Sequence, residues 1–238
     1  MKIIGKLIKS GFEDLLNLFY PQPCLLCRNT LQQQEEFICT ACRLALPETG
    51  QHRGEALVAG QNRFAGKVLV EFVFAYLYFT RKGKTQRVIH ALKYRGHKEL
   101  GHVLGRWYGH QLKTEYDLHE QIDLIVGVPL HPAKLRQRGY NQSDWFAMGL
   151  SEALEIPWSD QALMRTHYTL SQTGKNRLSR WENVNTVFRV KNPDFVANKR
   201  ILLVDDVLTT GATLEACTAS LVAANSQSVG IITMAATR

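Results

Sequence analysis

The segment that most constrains the fold lies at residues 201–213, Ile-Leu-Leu-Val-Asp-Asp-Val-Leu-Thr-Thr-Gly-Ala-Thr. Its first four residues are apolar, which is typical of a strand buried on both faces of a parallel sheet. Two carboxylates follow where such a strand would surface, and then a hydroxyl-rich turn leads into a helical pattern that turns Leu214, Cys217 and Leu221 inward. The segment predicts a strand, turn and helix that bring polar groups to the carboxyl edge of an open α/β sheet, where such sheets bind ligands.

The chemistry of this segment favours a phosphorylated sugar as ligand. Backbone N–H groups, hydroxyls and a helix N-terminus attract phosphate, and the turn offers all three through Thr209, Thr210, Gly211, Ala212 and Thr213. Carboxylates beside a phosphate would repel it, so we expect Asp205 and Asp206 to accept hydrogen bonds from vicinal hydroxyls of a ribose. An ordinary strand-to-helix crossing with capping aspartates would account for one Asp and one Thr, but not for the whole string.

Other phosphate motifs are missing from the chain. It has no Gly-x-x-x-x-Gly-Lys-Ser/Thr loop and no Gly-x-Gly-x-x-Gly turn after a strand, which disfavours nucleotide hydrolases and dinucleotide-dependent redox enzymes. Residues 201–213 instead resemble the phosphoribosyl pyrophosphate (PRPP) binding motif of type I phosphoribosyltransferases. The resemblance implies that Mg²⁺ arrives bound to the diphosphate of PRPP rather than in a protein cage.

Four of the five cysteines form a second motif, Cys24-x-x-Cys27 and Cys39-x-x-Cys42. Each pair makes a tight knuckle, and two knuckles can form a closed tetrahedral thiolate site suited to a structural Zn²⁺. An iron–sulfur cluster could use the same ligands, although zinc is favoured. The loop between the pairs is too short to fold alone, so we expect metal binding to stabilise it. Cys217 is expected to be a small core residue.

The remaining chain alternates strand and helix patterns. Residues 68–79, 122–128 and 228–234 predict strands, whereas residues 88–92, 100–112 and 146–154 predict helices. This alternation predicts a mostly parallel α/β sheet flanked by helices. A basic loop is expected around residues 134–138, and a long, mobile cationic loop over residues 164–182.

The predicted organisation has three parts: an amphipathic helix over residues 1–20, a zinc-binding module over residues 21–46 and a phosphoribosyltransferase-like domain over residues 47–238. The basic face of the helix could lie on an anionic membrane, but packing on the protein or on a partner is the simpler interpretation. No apolar stretch approaches the roughly 18–20 residues of a membrane-spanning helix, and no secretory signal is evident, so we expect a cytoplasmic protein. The net charge of +8 favours phosphate-bearing partners.

A narrower resemblance comes from the middle of the chain. It is carried by Leu-Lys-Tyr-Arg-Gly at residues 92–96, Val-Pro-Leu-His-Pro at 128–132 and Leu-Arg-Gln-Arg-Gly-Tyr-Asn-Gln at 135–142, followed by Gln172, Arg180, Asn183 and Phe188. With the cysteine knuckles and the acidic motif, these blocks resemble the ComF family. That family combines a double zinc knuckle with a phosphoribosyltransferase-like domain and is associated with natural competence, that is, DNA uptake and transformation.

The resemblance implies roles for individual residues. Asp205 and Asp206 would engage the ribose diol, and the turn at residues 209–213 would hold the 5′-phosphate. Leu130 and His131 would belong to the pyrophosphate loop, with nearby cations stabilising the departing diphosphate. Those cations are Lys93, Arg95, Arg136 and Arg138, and Arg177 and Arg180 would close over the site as catalytic residues together with the two aspartates.

The chain departs from the family pattern at two places. Arg28 stands where many members have glycine, and Lys175-Asn176 stands where a Leu-Ser pair is usual. The first leaves the metal cage intact, whereas the second puts the chemistry of the mobile loop in doubt.

Two classes of function remain open. The favoured hypothesis is a competence-associated protein with a PRPP-binding pocket that could transfer a phosphoribosyl group to an unidentified acceptor, with residues 44–80 as the candidate acceptor-binding segment. A nucleobase-salvage phosphoribosyltransferase is an alternative enzyme of the same class. Alternatively, it could be a non-catalytic adaptor that binds single-stranded DNA through its basic and aromatic stretches. The resemblance also implies work beside a competence helicase.

Overall fold

The computed structural model of the chain describes residues 22–53, 61–166 and 187–237. Contacts divide the chain into two compact units, Met1–Leu46 and Pro47–Arg238. The helix expected over residues 1–20 lies outside the described residues, so the limits of the three predicted parts stay a prediction. In the first unit, the short helix α1 spans Thr40–Leu44 and begins at the second cysteine pair.

The second unit is built on a five-stranded sheet in the order β1-β7-β6-β2-β3, in which every pairing is parallel. Its strands are β1 (Val73–Phe79), β2 (Leu124–Gly127), β3 (Trp158–Ser159), β6 (Arg200–Leu208) and β7 (Ser228–Thr237). A separate antiparallel pair joins β4 (Leu163–Arg165) to β5 (Phe188–Val190). The prediction of a mostly parallel sheet is confirmed.

Helices occupy the connections between these strands. They are α2 (Lys84–Tyr94), α3 (Glu99–Glu115), α4 (Pro132–Arg138), α5 (Gln142–Leu154), α6 (Pro193–Val196) and α7 (Ala212–Ala223), with a 3₁₀ turn at Leu118–Glu120. On α7, Leu214, Cys217 and Leu221 are buried as predicted, which gives Cys217 the expected core position.

Two glycines let α3 and α5 pack closely. A Cβ atom at Gly105 would lie 2.3 Å from the carbonyl oxygen of Phe146, and one at Gly149 would lie 2.0 Å from that of His102. A side chain at either glycine would push the two helices apart, because the close-packed interior leaves no room for it. This contact fixes α5, whose first turn carries polar side chains to the candidate site.

The order of the strands identifies where a ligand can bind. From β2 the chain continues outward to β3, whereas from β6 it continues in the opposite direction to β7, and β2 and β6 are neighbours. The connections therefore diverge between these two strands, which creates a crevice outside their carboxyl ends. The acidic pair of β6 and the turn that follows β2 both lie at this position.

Three local predictions need correction. The strand that contains the acidic motif does not end before the carboxylates: β6 runs to Leu208, and Asp205 is paired in register with Thr233 of β7. Because β7 also continues to Thr237, the longer neighbour supplies ladder partners beyond the apolar run. The aspartates are thus held by the sheet rather than by a flexible turn.

The basic loop expected near residues 134–138 is the helix α4. Local signals explain it: Pro132 occupies the first turn, the side chain of His131 caps the start, and Gly139 takes a left-handed conformation at the end.

The start of the expected mobile loop is wrong as well, since Met164 and Arg165 lie in β4. Their partners come from Phe188–Val190, a pairing between distant segments that local sequence does not reveal. Residues 167–182 of that loop, including Arg177 and Arg180, lie outside the described residues, which resume at residue 187.

Candidate functional site

The centre of the candidate site is the acidic pair on β6. An oxygen of Asp205 accepts hydrogen bonds from the hydroxyl of Ser143, at 3.0 Å, and from the backbone N–H of Asp206, at 2.8 Å. The carboxylate of Asp206 forms an ion pair with Lys93, whose Nζ lies 2.6 Å away. One carboxylate is therefore anchored to the first turn of α5, and the other to the end of α2.

The two carboxyls have different electrostatic environments. Burial raises the pKa of Asp205 to about 7, and the negative charge of Asp206 adds to this increase. The hydrogen bonds from Asp206 and Ser143 and the charge of Lys93 oppose it only in part. Asp205 therefore exchanges a proton near neutral pH.

The proposed phosphate turn follows directly after β6. Gly211 adopts a φ of +84°, a left-handed conformation that favours glycine, and it precedes the first residue of α7. The side chains of Thr209, Thr210 and Thr213 are exposed around a small cleft of about 40 Å³. This geometry leaves hydroxyls and the start of a 12-residue helix facing the crevice edge.

The turn after β2 is tied to both neighbouring elements. The Val128 N–H donates to the carbonyl of Val204 at 2.8 Å, which extends the β2–β6 ladder. The amide of Asn141 donates to the Val128 carbonyl at 3.0 Å, and its oxygen caps α5 by accepting from Ser143 N–H at 3.3 Å. The predicted pyrophosphate turn, with Leu130 and His131, is therefore held beside the acidic pair.

The predicted cations fall into three groups. Lys93 is paired with Asp206, whereas Arg95 and Arg136 are exposed. The guanidinium of Arg138 lies 5.4 Å above the ring centre of Tyr94 and donates to Gln142 Oε1 at 2.8 Å. The hydroxyl of Tyr140 also donates to the Leu92 carbonyl. These contacts join the end of α2 to the α4–α5 junction.

The cysteine cluster in the first unit fits a metal ion. The sulfurs of Cys24, Cys27, Cys39 and Cys42 all lie within 4.8 Å of one another, and those of Cys27 and Cys39 are 3.6 Å apart. Tetrahedral zinc with bonds of about 2.3 Å requires sulfurs roughly 3.8 Å apart. The donor set therefore matches a four-thiolate site.

The backbone around the cluster is arranged for thiolates. Burial opposes ionisation of Cys24, but N–H groups of Cys27, Cys39 and Leu26 lower its pKa to about 6. Burial and the neighbouring thiols raise the pKa of Cys42 to about 12. A bound cation would be needed to keep every sulfur ionised.

Two other residues shape the knuckles. The Glu35 carboxylate accepts from Gln32 N–H at 2.8 Å and from Thr40 N–H at 2.7 Å, and so caps α1. Arg28 has a φ of +70°, a left-handed conformation that explains why glycine suits this position.

Comparisons with known proteins find relatives of this chain. The family described as phosphoribosyl transferase domain matches residues 145–238. The DNA utilization protein YhgH of Escherichia coli K12 is 34% identical over 129 residues, which cover 53% of this chain and 56% of that protein. Competence protein F of Haemophilus influenzae is 36% identical over 107 residues, covering 44% and 43%. The competence and DNA utilization names of these relatives, together with the phosphoribosyl transferase domain, support the resemblance to the ComF family.

The matches cover different shares of this chain and of its relatives. The chain spans about half the length of the first relatives, whereas a Salmonella typhi protein with the YhgH name is 28% identical over 210 residues, covering 83% of this chain and 89% of that protein. Among solved structures, the Bacillus subtilis glutamine PRPP amidotransferase has a TM-score of 0.41 at 22% identity, covering 56% of this chain and 26% of that chain.

Several residues of the candidate site escaped the sequence prediction. From the sequence, Asn141 had no assigned role beyond its place in the motif at residues 135–142, although an Asn before a helical pattern is a signal for a helix cap. Ser143 and Asp144 follow it and reach the strands: a Cβ atom at Gly127 would lie 2.2 Å from Asp144 Oδ1. Burial raises the pKa of Asp144 to about 7. Nothing in the sequence marks Ser143 or Asp144 as neighbours of β6 and β2.

Within the described residues, no helix is both long and apolar enough to cross a bilayer.

Proposed function

We propose that this protein binds PRPP, or a related ribose 5-phosphate ligand, at the crevice between β2 and β6, and that it serves DNA uptake or utilisation, as its resemblance to the ComF family suggests. The observation that carries the proposal is the juxtaposition, at one sheet edge, of the acidic pair, the turn at residues 209–213 and the turn held by Asn141. This arrangement offers acceptors for a ribose diol and donors for a 5′-phosphate.

The chain's own residues would orient the ligand. Ionised Asp206 can accept from a ribose hydroxyl while Lys93 keeps its charge balanced. Asp205, held by Ser143, can accept from the second hydroxyl once it has lost its proton. Both residues lie in a paired strand, so their carboxylates are positioned before the ligand binds.

A phosphoribosyl transfer would place further demands on the site. Displacement of diphosphate at the anomeric carbon leaves positive charge on the sugar and negative charge on the leaving group. Arg95, Arg136 and Arg138 are the described cations proposed to stabilise that diphosphate, and Mg²⁺ would supply additional positive charge when it binds with PRPP. Arg177 and Arg180 remain proposals that lie outside the described residues.

The acceptor is a separate question. Residues 44–80 were the candidate segment, but Val73–Phe79 is the edge strand β1, and its first five residues are buried. That strand contributes to the core, so an acceptor site would have to use other parts of the segment. This weakens the nucleobase-salvage hypothesis relative to simple ligand binding.

Binding of single-stranded DNA is a second candidate because of one specific observation. Tyr94 is 66% exposed and its ring lies under the Arg138 guanidinium, while Arg95, which follows Tyr94 in the chain, and Arg136 on α4 are exposed. An exposed aromatic ring among cations suits base stacking with phosphate contacts. A steep loss of affinity for an oligonucleotide as salt rises would support this candidate, and a flat response would remove it.

We also propose that the cysteine site holds a structural Zn²⁺, since four thiolates leave no open coordination position. Four unpaired cysteines suit a reducing compartment, for which we propose the cytoplasm. Chelation should release one zinc per chain and disorder residues 22–46. If metal analysis finds iron, the site holds an iron–sulfur cluster and the zinc proposal is wrong.

Thermal protection tests the proposed ligand site. Ribose 5-phosphate should raise the melting temperature of the zinc-loaded protein, because a ligand that binds only the folded state stabilises it. Ribose alone and phosphate alone should each give a smaller shift, since each engages half of the site. Equal shifts with phosphate alone, or none with any compound, would contradict a combined diol and phosphate site.

A further inference from the structure

Arg63 is a cation beside the phosphate turn that no sequence motif marks. Its Nη1 donates to the carbonyl of Thr209 at 2.7 Å, and its Nη2 donates to the carbonyl of Thr237 at 2.6 Å. Thr209 is the first residue after β6, and Thr237 is the last residue of β7. A single guanidinium thus bridges the ends of two neighbouring strands.

Peptide geometry makes the first of these bonds important. In a planar trans peptide, the carbonyl of one residue and the N–H of the next point in opposite directions. Because the Thr209 carbonyl is held toward Arg63, the N–H of Thr210 is directed away from it. That N–H is one of the donors through which the turn can bind an anion.

The residue after Arg63 supports the same turn. Phe64 is 1% exposed, and its ring carbon Cζ lies 3.2 Å from the position that a Cβ atom would take at Gly211. Phe64 N–H donates to the Gln61 carbonyl at 2.9 Å, so both side chains project from one short hydrogen-bonded turn. The phosphate turn therefore rests on a ring and is tied down by a guanidinium.

The geometry points to Arg63 as the positioning residue of the phosphate turn. By bridging two carbonyls it fixes the direction of the Thr210 N–H before a ligand arrives, which lowers the cost of ordering the turn on binding. The identity of the ligand rests on the proposed function, but the ordering of the turn by Arg63 does not.

The competing explanation is that Arg63 contributes only positive charge. The two explanations differ for lysine, which keeps the charge but has a single ammonium group that cannot reproduce the planar two-pronged bridge. Arg63→Lys and Arg63→Met therefore separate positioning from charge.

The experiment measures binding of ribose 5-phosphate and of inorganic pyrophosphate by calorimetry. Arg63→Met should weaken ribose 5-phosphate binding by about tenfold or more, as expected for the loss of a prepared charge-assisted hydrogen bond. Binding of pyrophosphate, which the other turn should hold, should change by less than about twofold. Arg63→Lys should resemble Arg63→Met.

The matched control is Arg200→Met, which removes an arginine that also bonds a backbone carbonyl, but at the amino end of β6. It should leave both affinities unchanged even if it lowers stability. Wild-type affinity in Arg63→Met, or full recovery in Arg63→Lys, would overturn the positioning role.

A second readout needs no ligand. Backbone ¹⁵N relaxation of the zinc-loaded protein should give Thr210 and Gly211 order parameters near the rigid value of about 0.85, falling below about 0.6 in Arg63→Met. If the wild-type protein binds no ribose 5-phosphate but the turn loosens as expected, the proposed function fails and the positioning role stands. An unchanged order parameter in Arg63→Met would overturn the positioning role by itself.

Discussion

The two ends of strand β6 use charged residues in opposite ways. At the amino end, Arg200 Nη2 and Nε donate to Asp123 at 2.7 and 3.0 Å, and these bonds lower the pKa of Asp123 to about 2. At the carboxyl end, burial raises the pKa of Asp205 to about 7. The first carboxylate stabilises the fold in its charged form, whereas the second is held at a cost that a ligand can relieve.

The two carboxylates can be compared directly, because Asp205 belongs to β6 and Asp123 is bonded to Arg200 of the same strand. Stability alone would favour partners like Arg200 at each end. Asp205 instead accepts from the hydroxyl of Ser143 and from a backbone N–H, which leave its carboxylate with capacity to accept further hydrogen bonds. The contrast supports the proposal that a ligand binds at the carboxyl end, whereas the amino end stabilises the fold.

The largest predicted change in stability is at the carboxyl end of β6. Asp205→Asn should raise the free energy of unfolding at pH 8 by on the order of 2 kcal/mol, because it removes a carboxylate whose ionisation is disfavoured by burial. The raised pKa means that wild-type stability from this group is present below pH 3.8 and is lost as pH rises towards 7. The gain should therefore vanish near pH 4.

Urea unfolding at pH 4 and pH 8 measures this effect. Asp205→Asn that is less stable than wild type at pH 8 would show that the ionised carboxylate stabilises the fold.

The next prediction concerns the partner of the second carboxylate. Lys93→Met should lower the free energy of unfolding by about 2 kcal/mol at pH 7, because it leaves the half-buried Asp206 without its cation. Combining it with Asp206→Asn should recover most of the loss. Equal instability of the single and double variants in denaturant titrations would mean that Lys93 acts through packing instead.

A smaller effect, of opposite sign to that of Asp205→Asn, is expected at the amino end. Asp123→Asn should reduce stability at pH 7 by about 1 kcal/mol, a small value because the side chains of both partners are over a third exposed to solvent. The lowered pKa means that this contribution is present above pH 3.8 and is lost as pH falls towards 2. The difference from wild type should close in acid, which unfolding at pH 2.5 and pH 7 can check.

The smallest predicted change in stability tests the hydrogen bond from Ser143 to Asp205. Ser143→Ala removes a donor that favours the ionised form of Asp205, so the pKa of Asp205 should rise further and stability at pH 8 should fall by about 0.5 kcal/mol. Carbon-detected NMR titration of the carboxyl resolves the change directly. Ser220→Ala, which removes a hydroxyl bonded only to backbone carbonyls, is the matched control and should leave that titration unchanged.

Sequence predicted one end of β6 better than the other. The acidic pair and the phosphate turn are local, so thirteen consecutive residues carried their chemistry. The cysteine cluster was predictable for the same reason, since each knuckle needs only four residues.

The supporting contacts were hidden because they join distant segments. Arg63 meets Thr209 across 146 positions, and Ser143 meets Asp205 across 62. Such pairings follow from the strand order and from the close packing of α3 on α5, neither of which a local pattern encodes. The turn chemistry of α4 was readable from Pro132 and Gly139, but its basic residues favoured a loop interpretation.

Calorimetric titration of PRPP with Mg²⁺ into the zinc-loaded protein tests the central claim most directly, beside Asp205→Asn/Asp206→Asn and the amino-end control Asp123→Asn. We predict micromolar binding that is lost in the double variant and kept in the control. Absence of binding to the folded wild-type protein, or equal binding by the double variant, would contradict a PRPP site at the carboxyl end of β6.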